Sequence, residues 1–219
     1  MSRSPSQIER QVERAVEILK AGGIVAYPTD TVYGLGADAF NPEAVARIFE
    51  VKGRPRSMAL PVLLADVEQV NEVASVVPEA ALIFTKRFWP GGLTLVLFKA
   101  VAVPDMVTAG SDKVAVRVPN HEVPCALIRG LGAPIIGTSA NISDRPSPVT
   151  AEGVRQQLRS GVDLVIDAGR CPGGVESTVV DVTGDSPVVL REGIVSKGEI
   201  EKIWRESLKE AGKSANCCG

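Results

Sequence analysis

Apolar residues recur at helical spacing near the start of the chain, at Ile8, Val12, Ala15, Val16 and Leu19, and Gly22-Gly23 stops that pattern before a short apolar run over 24–27. The order read from it is helix, turn, strand. A second helix opens with Asn41 as its cap and Pro42 in its first turn, places Val45, Ile48 and Phe49 on one face, and closes at Lys52-Gly53. A strand over 60–64 and helices over 66–73 and 78–89 follow, up to the break at Pro90-Gly91-Gly92. Further strand-like runs lie at 94–98, 114–118, 135–136, 164–166, 178–182 and 188–190, with helices over 124–131, 150–158 and 197–208 separating some of them.

Strands alternating with helices predict a layered α/β domain with a twisted sheet flanked by helices. Several connections are too short for a parallel crossover, so the sheet is expected to be mixed, parallel and antiparallel. No repeat, low-complexity stretch or Ser/Gly linker divides the chain, so residues 1–208 read as a single domain and 209–219 as a flexible tail. The longest apolar runs, 59–65 and 93–98, fall well short of the ~20 residues that span a bilayer. Glu9, Glu13 and Glu17 among the N-terminal arginines argue against a signal or transit peptide, so a cytoplasmic location is expected.

Composition narrows the function. With 45% apolar and 23% charged residues the chain is globular, and a net charge of −2 provides no general field for nucleic acid or anionic membrane. Aromatics, at 4%, are too sparse for a base-stacking platform. Any anion site must therefore be local. Cys125, Cys171, Cys217 and Cys218 lack zinc-ligand spacing and have only His121 to join them, so they read as reduced thiols.

Familiar nucleotide motifs fail on context. Gly34-Leu35-Gly36-Ala37-Asp38-Ala39 matches a dinucleotide fingerprint in form, but its glycines do not sit on a helix N-terminus where pyrophosphate would dock. Gly212-Lys213-Ser214 resembles the end of a phosphate loop, yet Ser207 stands where the first glycine belongs. His121 lacks the setting of a nucleophilic triad.

What remains is a series of polar clusters in loops beside apolar strands: Pro28-Thr29-Asp30-Thr31-Val32-Tyr33-Gly34, Lys52-Gly53-Arg54-Pro55-Arg56, Thr138-Ser139-Ala140-Asn141, Glu176-Ser177-Thr178 and Arg191-Glu192-Gly193. Singly, each reads as well as turn, cap or solvated-surface chemistry. In this order, with V-A-V-R-V-P over 114–119 and R-P-S-P over 145–148, they resemble the YrdC-like threonylcarbamoyl-AMP synthases over about residues 22–196.

The resemblance implies a YrdC-like fold around a concave, positively charged cavity. It also implies a reaction joining L-threonine, bicarbonate and ATP, with Mg2+, into threonylcarbamoyl-AMP with release of pyrophosphate. A downstream transferase complex would carry the group to tRNA, so tRNA binding by this chain would be weak at most. Carried residue by residue, Lys52 and Arg54 neutralise carbamate and phosphate charge, Ser139 contacts the nucleotide and Asn141 orients it. Met58, Lys113, Ser147 and Arg191 complete the ATP side; Thr31, Leu63, Arg117, Gly137 and Ser177 form the threonine pocket, with Arg117 gripping the carboxylate bidentately. No side chain is expected to ligate metal. The family's R-P-x-x-x-P-L pattern is broken by Ala59-Leu60, and Gly92 replaces a commoner proline, which is expected to be structural. Two other readings are a carbamoyl-adenylate-forming relative, as in hydrogenase-maturation carbamoyltransferases, and a non-catalytic RNA-binding or ribosome-assembly protein.

Overall fold

Helix α1 (Gln7–Lys20) starts at a reciprocal cap, in which the Ser6 hydroxyl accepts from the Glu9 N–H and the Glu9 carboxylate from the Ser6 N–H. The computed structural model describes residues 6–216. Gly22, at φ +77°, takes the left-handed turn that ends the helix and sends the chain into β1 (Val25–Tyr27). Residues 24–27 are wholly buried because the strand is covered on both faces. Ile24 and Ala26 enter the main core, while Val25 and Tyr27 enter a smaller one beneath α1 and α6 (Glu122–Leu131).

The expected single sheet is resolved into two. The smaller has the order β7-β2-β1-β8, formed with β2 (Gly34–Gly36), β7 (Thr138–Ser139) and β8 (Leu164–Val165). The larger comprises β3 (Val62–Leu63), β4 (Leu93–Phe98), β5 (Lys113–Arg117), β6 (Ile135–Ile136), β9 (Thr178–Asp181) and β10 (Val188–Arg191), in the order β10-β9-β4-β5-β3-β6. Both are mixed: β1 runs antiparallel to β2 and parallel to β8, and β4 antiparallel to β5 and parallel to β9. Strands of two residues at β3, β6 and β7 supply too few ladder bonds to hold one surface across the bend. The chain crosses from the larger sheet to the smaller at Gly137, where a Cβ would lie 2.2 Å from Leu63 Cγ.

The Gly-Leu-Gly set aside as a nucleotide motif is β2. Tyr27 pairs with Gly34, and a Cβ on Gly34 or Gly36 would approach the Tyr27 ring to 2.6 or 2.8 Å, so these glycines make room for an aromatic side chain. The helix expected over 66–73 contracts to α3 (Val70–Val73), because side chains compete for the backbone: Asp66 accepts from the Gln69 N–H and Gln69 from the Ala65 N–H. Helices α2 (Pro42–Lys52), α4 (Glu79–Phe88) and α7 (Ala151–Leu158) fall close to expectation, with Asn41 and Thr150 as caps. Helix α5 (Asp105–Thr108) has no periodicity long enough to announce it. The last helix, α8 (Lys197–Asn216), runs past residue 208 and takes in Gly212-Lys213-Ser214.

Among the described residues no helix is long and apolar enough to cross a membrane. Cys125 and Cys171 are free thiols pushed up in pKa chiefly by burial, while Cys217 and Cys218 lie outside the described residues.

Candidate functional site

At the seam between the sheets lies a cavity of about 570 Å3. Its walls come from the β1–β2 loop, the turn after α2, the ends of β3, β4 and β5, the segment through β7 to Pro146, the residues before β9, and Arg191. Lys52, Arg54, Arg117, Arg145 and Arg191 face it against only two carboxylates, Asp144 and Glu176, so a chain of net charge −2 concentrates positive charge in one hollow.

Lys52 reaches the cavity wall because helical spacing puts it on the buried face of α2, one turn after Ile48 and Phe49. It is 1% exposed. Its ammonium donates to the Ser139 carbonyl, to Asn141 O at 2.8 Å and to Asn141 Oδ1 at 3.2 Å. Asn141 Nδ2 in turn donates to Arg145 O at 2.6 Å, and the Ser143 N–H to Lys52 O at 2.9 Å. One lysine thus fastens the Thr-Ser-Ala-Asn segment to α2. Burial and the Arg54 charge lower its pKa to about 8, with Glu176 opposing them. Since its acceptors are neutral or part of an uncharged amide, its positive field is not cancelled within the clasp.

Arg54 donates from Nε to Met58 O at 3.2 Å and from Nη2 to Ala59 O at 2.8 Å, which leaves Nη1 without a protein acceptor among the described residues. Burial lowers its pKa, but a guanidinium stays charged. The Ala59 carbonyl is thus used in ordering the turn where the family pattern is broken.

At the other end Arg117, 6% exposed, donates from Nε to Gly91 O at 2.8 Å, from Nη1 to Thr31 Oγ1 at 3.0 Å and from Nη2 to Asp30 Oδ1. Burial lowers its pKa and Asp30 opposes this. These contacts take three of its five N–H bonds, so a free two-pronged clamp, the role expected for Arg117, is already partly engaged by the protein. Thr29 donates its hydroxyl to Val32 O at 2.7 Å, so the 3.0 Å contact between the Thr29 and Thr31 hydroxyls is donated by Thr31. Thr31, accepting from Arg117 and donating to Thr29, keeps one lone pair for a ligand that donates. The Ser177 and Thr94 hydroxyls pair at 2.8 Å, and Leu63 and Gly137 shape the adjoining wall.

The structure therefore brings Thr31, Lys52, Arg54, Met58, Leu63, Arg117, Gly137, Ser139, Asn141, Ser177 and Arg191 to one cavity. Two expected residues are not in its lining. Ser147 lies just behind it, its Oγ donating to Glu176 Oε1 at 2.6 Å. Lys113 stands at the far end of β5, on the same strand face as Arg117, and donates to Asp181 at 2.9 Å. Asp181, raised by burial, is brought below the ordinary carboxylate range by Thr183 and Lys113. Glu176, Thr94 and Arg145 were not singled out as site residues, although Glu-Ser-Thr and Arg-Pro-Ser-Pro are legible motifs; what they lacked was any local sign of the partner each side chain meets. Ser143 also lines the wall, and its buried Oγ has no hydrogen-bond partner among the described residues. His121 is the cap of α6, accepting from the Val123 N–H, and burial lowers its pKa.

Proteins of known kind share this architecture. Threonylcarbamoyl-AMP synthases of Pyrococcus abyssi and Bacillus subtilis are 47% and 45% identical, over 90% and 88% of this chain, which spans 58% and 56% of their length. A shorter one from Halorhodospira halophila is 36% identical, over 83% of this chain and 94% of its own. The solved structure of P. abyssi Sua5 complexed with L-threonine superposes with a TM-score of 0.87 at 45% identity, over 92% of this chain and 59% of that one. E. coli YciO gives 0.80 at 30%, over 91% and 99%. The Sua5/YciO/YrdC family model, described as telomere recombination, matches residues 17–193 and so takes in every residue lining the cavity, and the chain belongs to that family.

Proposed function

We propose that this cavity joins L-threonine, bicarbonate and ATP into L-threonylcarbamoyl-AMP and releases pyrophosphate. The observation that carries the reading is the arrangement of one hollow: hydroxyls backed by a sealed arginine at one end, exchangeable cations at the other, and a lysine-fastened loop between them. The names of the relatives at 36–47% identity, and the threonine in the P. abyssi structure, support it.

The chemistry needs no protein nucleophile. The threonine amine, once deprotonated, adds to the carbon of carbon dioxide from bicarbonate to give a carbamate; a carbamate oxygen then attacks the α-phosphorus of ATP and the bond to pyrophosphate breaks. The obstacle is mutual repulsion of the reactants, so positioning and electrostatic stabilisation carry the rate. Thr31 presents its free lone pair to a donor on threonine, and the two remaining N–H bonds of Arg117 face its carboxylate. Leu63 against Gly137 fits the methyl group by shape. Arg54 and Lys52 offset the charge where carbamate meets phosphate, Ser139 and Asn141 hold the nucleotide, and Arg191 and Ser147 serve the phosphate side, whereas Lys113, paired with Asp181 outside the cavity wall, takes no part. Magnesium, entering on the triphosphate, would neutralise phosphate charge; it demands few protein ligands, which fits a cavity lined by the carboxylates of Asp144 and Glu176. The product would pass, in the cytoplasm, to a separate transferase that modifies tRNA.

The test is incubation of purified protein with threonine, labelled bicarbonate, magnesium and ATP. Labelled threonylcarbamoyl-adenylate with stoichiometric pyrophosphate is expected; ATP consumed without threonine dependence, or no product, rejects the reading.

A further inference from the structure

We propose that Glu176 is an internal counter-anion of the polyphosphate subsite, displaced from Arg191 and Ser147 when a phosphate chain binds and returning to them as pyrophosphate leaves. This rests on the function proposed above. The Glu176 carboxylate holds the donors a phosphate would need: Oε1 accepts from Ser147 Oγ at 2.6 Å and Oε2 from Arg191 Nη1. A serine hydroxyl has one proton, so Ser147 cannot donate to Glu176 and to phosphate at once.

Backbone and side chain differ in freedom. The Glu176 carbonyl accepts from the Ile194 N–H at 2.9 Å, and a Cβ on Gly193 would come within 2.3 Å of that carbonyl oxygen, so the main chain is held by close packing. The side chain, by contrast, is 35% exposed and opens on the cavity, and that of Arg191 is 48% exposed. Arg191 keeps a second anchor through Nη2 on Ser177 O at 2.8 Å, so it stays in place if Glu176 swings away. Lys52 and Arg54 both feel the Glu176 charge, which offsets part of the cationic field. Cations as close together as Lys52, Arg54 and Arg191 would retain a product as highly charged as pyrophosphate; a carboxylate that competes for the same donors weakens that grip and favours release.

The test is calorimetric titration of the full chain with inorganic pyrophosphate in the presence of chelator, for the wild type, E176Q, E176D, R191Q and the E176Q/R191Q double variant, each first shown to be folded by thermal melting. Glutamine preserves size and one of the two acceptor oxygens but removes the competing charge, so E176Q is expected to bind pyrophosphate at least tenfold more tightly, with E176D near the wild type. The gain should shrink severalfold in the R191Q background, because the competition is for Arg191. Equal or weaker binding by E176Q overturns the proposal, as does a gain of the same size without Arg191, which would make Glu176 a contributor to the general field only. If neither wild type nor E176Q binds pyrophosphate or ATP, the proposed function fails and takes this inference with it; if wild type binds and E176Q shows no gain, the counter-anion role alone fails.

Discussion

The two ends of the cavity hold arginine–carboxylate pairs of opposite character. In the Arg117–Asp30 pair the side chains are 7% and 15% exposed, and Arg117 is also tied to Gly91 and Thr31. In the Arg191–Glu176 pair they are 48% and 35% exposed. The first is a fixed mould: breaking it strands a buried charge, and its value lies in where it holds Thr31. The second is a replaceable contact, worth little to stability because solvent screens it, but positioned to trade one anion for another. A ligand chosen for shape suits the first, and one chosen for charge suits the second.

That contrast can be broken from either side. The largest effect is expected from Arg117→Ala, which leaves Asp30, its side chain only 15% exposed, without its partner and should cost about 3–5 kcal/mol in chemical denaturation as well as threonine binding. A loss below about 1 kcal/mol would deny that this end is a fixed mould. Arg54→Ala, by contrast, should lower turnover about a hundredfold while shifting the melting temperature little, since it acts on transition-state charge from a half-buried position. Lys52→Ala should match that loss of turnover and also destabilise the protein, because three acceptors lose their donor. An activity near wild type in either variant would remove that residue from the chemistry.

Lys52 also provides a pH signature. The folded protein releases its proton near pH 8, whereas an ordinary lysine keeps it to 10.5. Between those values the unfolded chain binds more protons, so folding stability should rise with pH across this window as the cost of burying the charge is relieved. Activity should move the other way, with kcat/KM falling up to tenfold per unit above about pH 8 as the cation is lost. A profile flat to pH 10 would show that this charge is not used. The smallest effect sharpens the mould: Thr31→Val removes one acceptor and should raise the threonine Kd by about tenfold, the worth of one neutral hydrogen bond, with the ATP Kd unchanged. Equal weakening of both ligands would mean that Thr31 supports the loop rather than threonine.

Much of the site could be read along the chain, and the gaps have physical causes. Lys52 is legible as part of a cationic motif, but its burial on the inner face of α2 and its partners Ser139 and Asn141, which come 87 and 89 residues later, appear only in the fold. Gly34-Leu35-Gly36 lacks the setting of a dinucleotide fingerprint, but its use as a strand that brings Gly34 to the cavity wall depends on the Tyr27 ring lying across it. Glu176 sat in a motif that was noticed, yet a carboxylate's meaning depends on what faces it, and Arg191 and Ser147 come to it only through folding.

The sequence by itself determined the helices with strong periodicity and caps, the apolar strands, and the order of the polar loops, because those depend on residues within a few positions of one another. Tertiary structure alone decided that the sheet bends into two at Gly137, that Arg117 is sealed while Arg191 is exchangeable, and that Lys113 lies outside the cavity wall. Burial and pairing across 86 or 87 residues, as between Arg117 and its partners Thr31 and Asp30, depend on the packing of the whole chain, and no local window contains them.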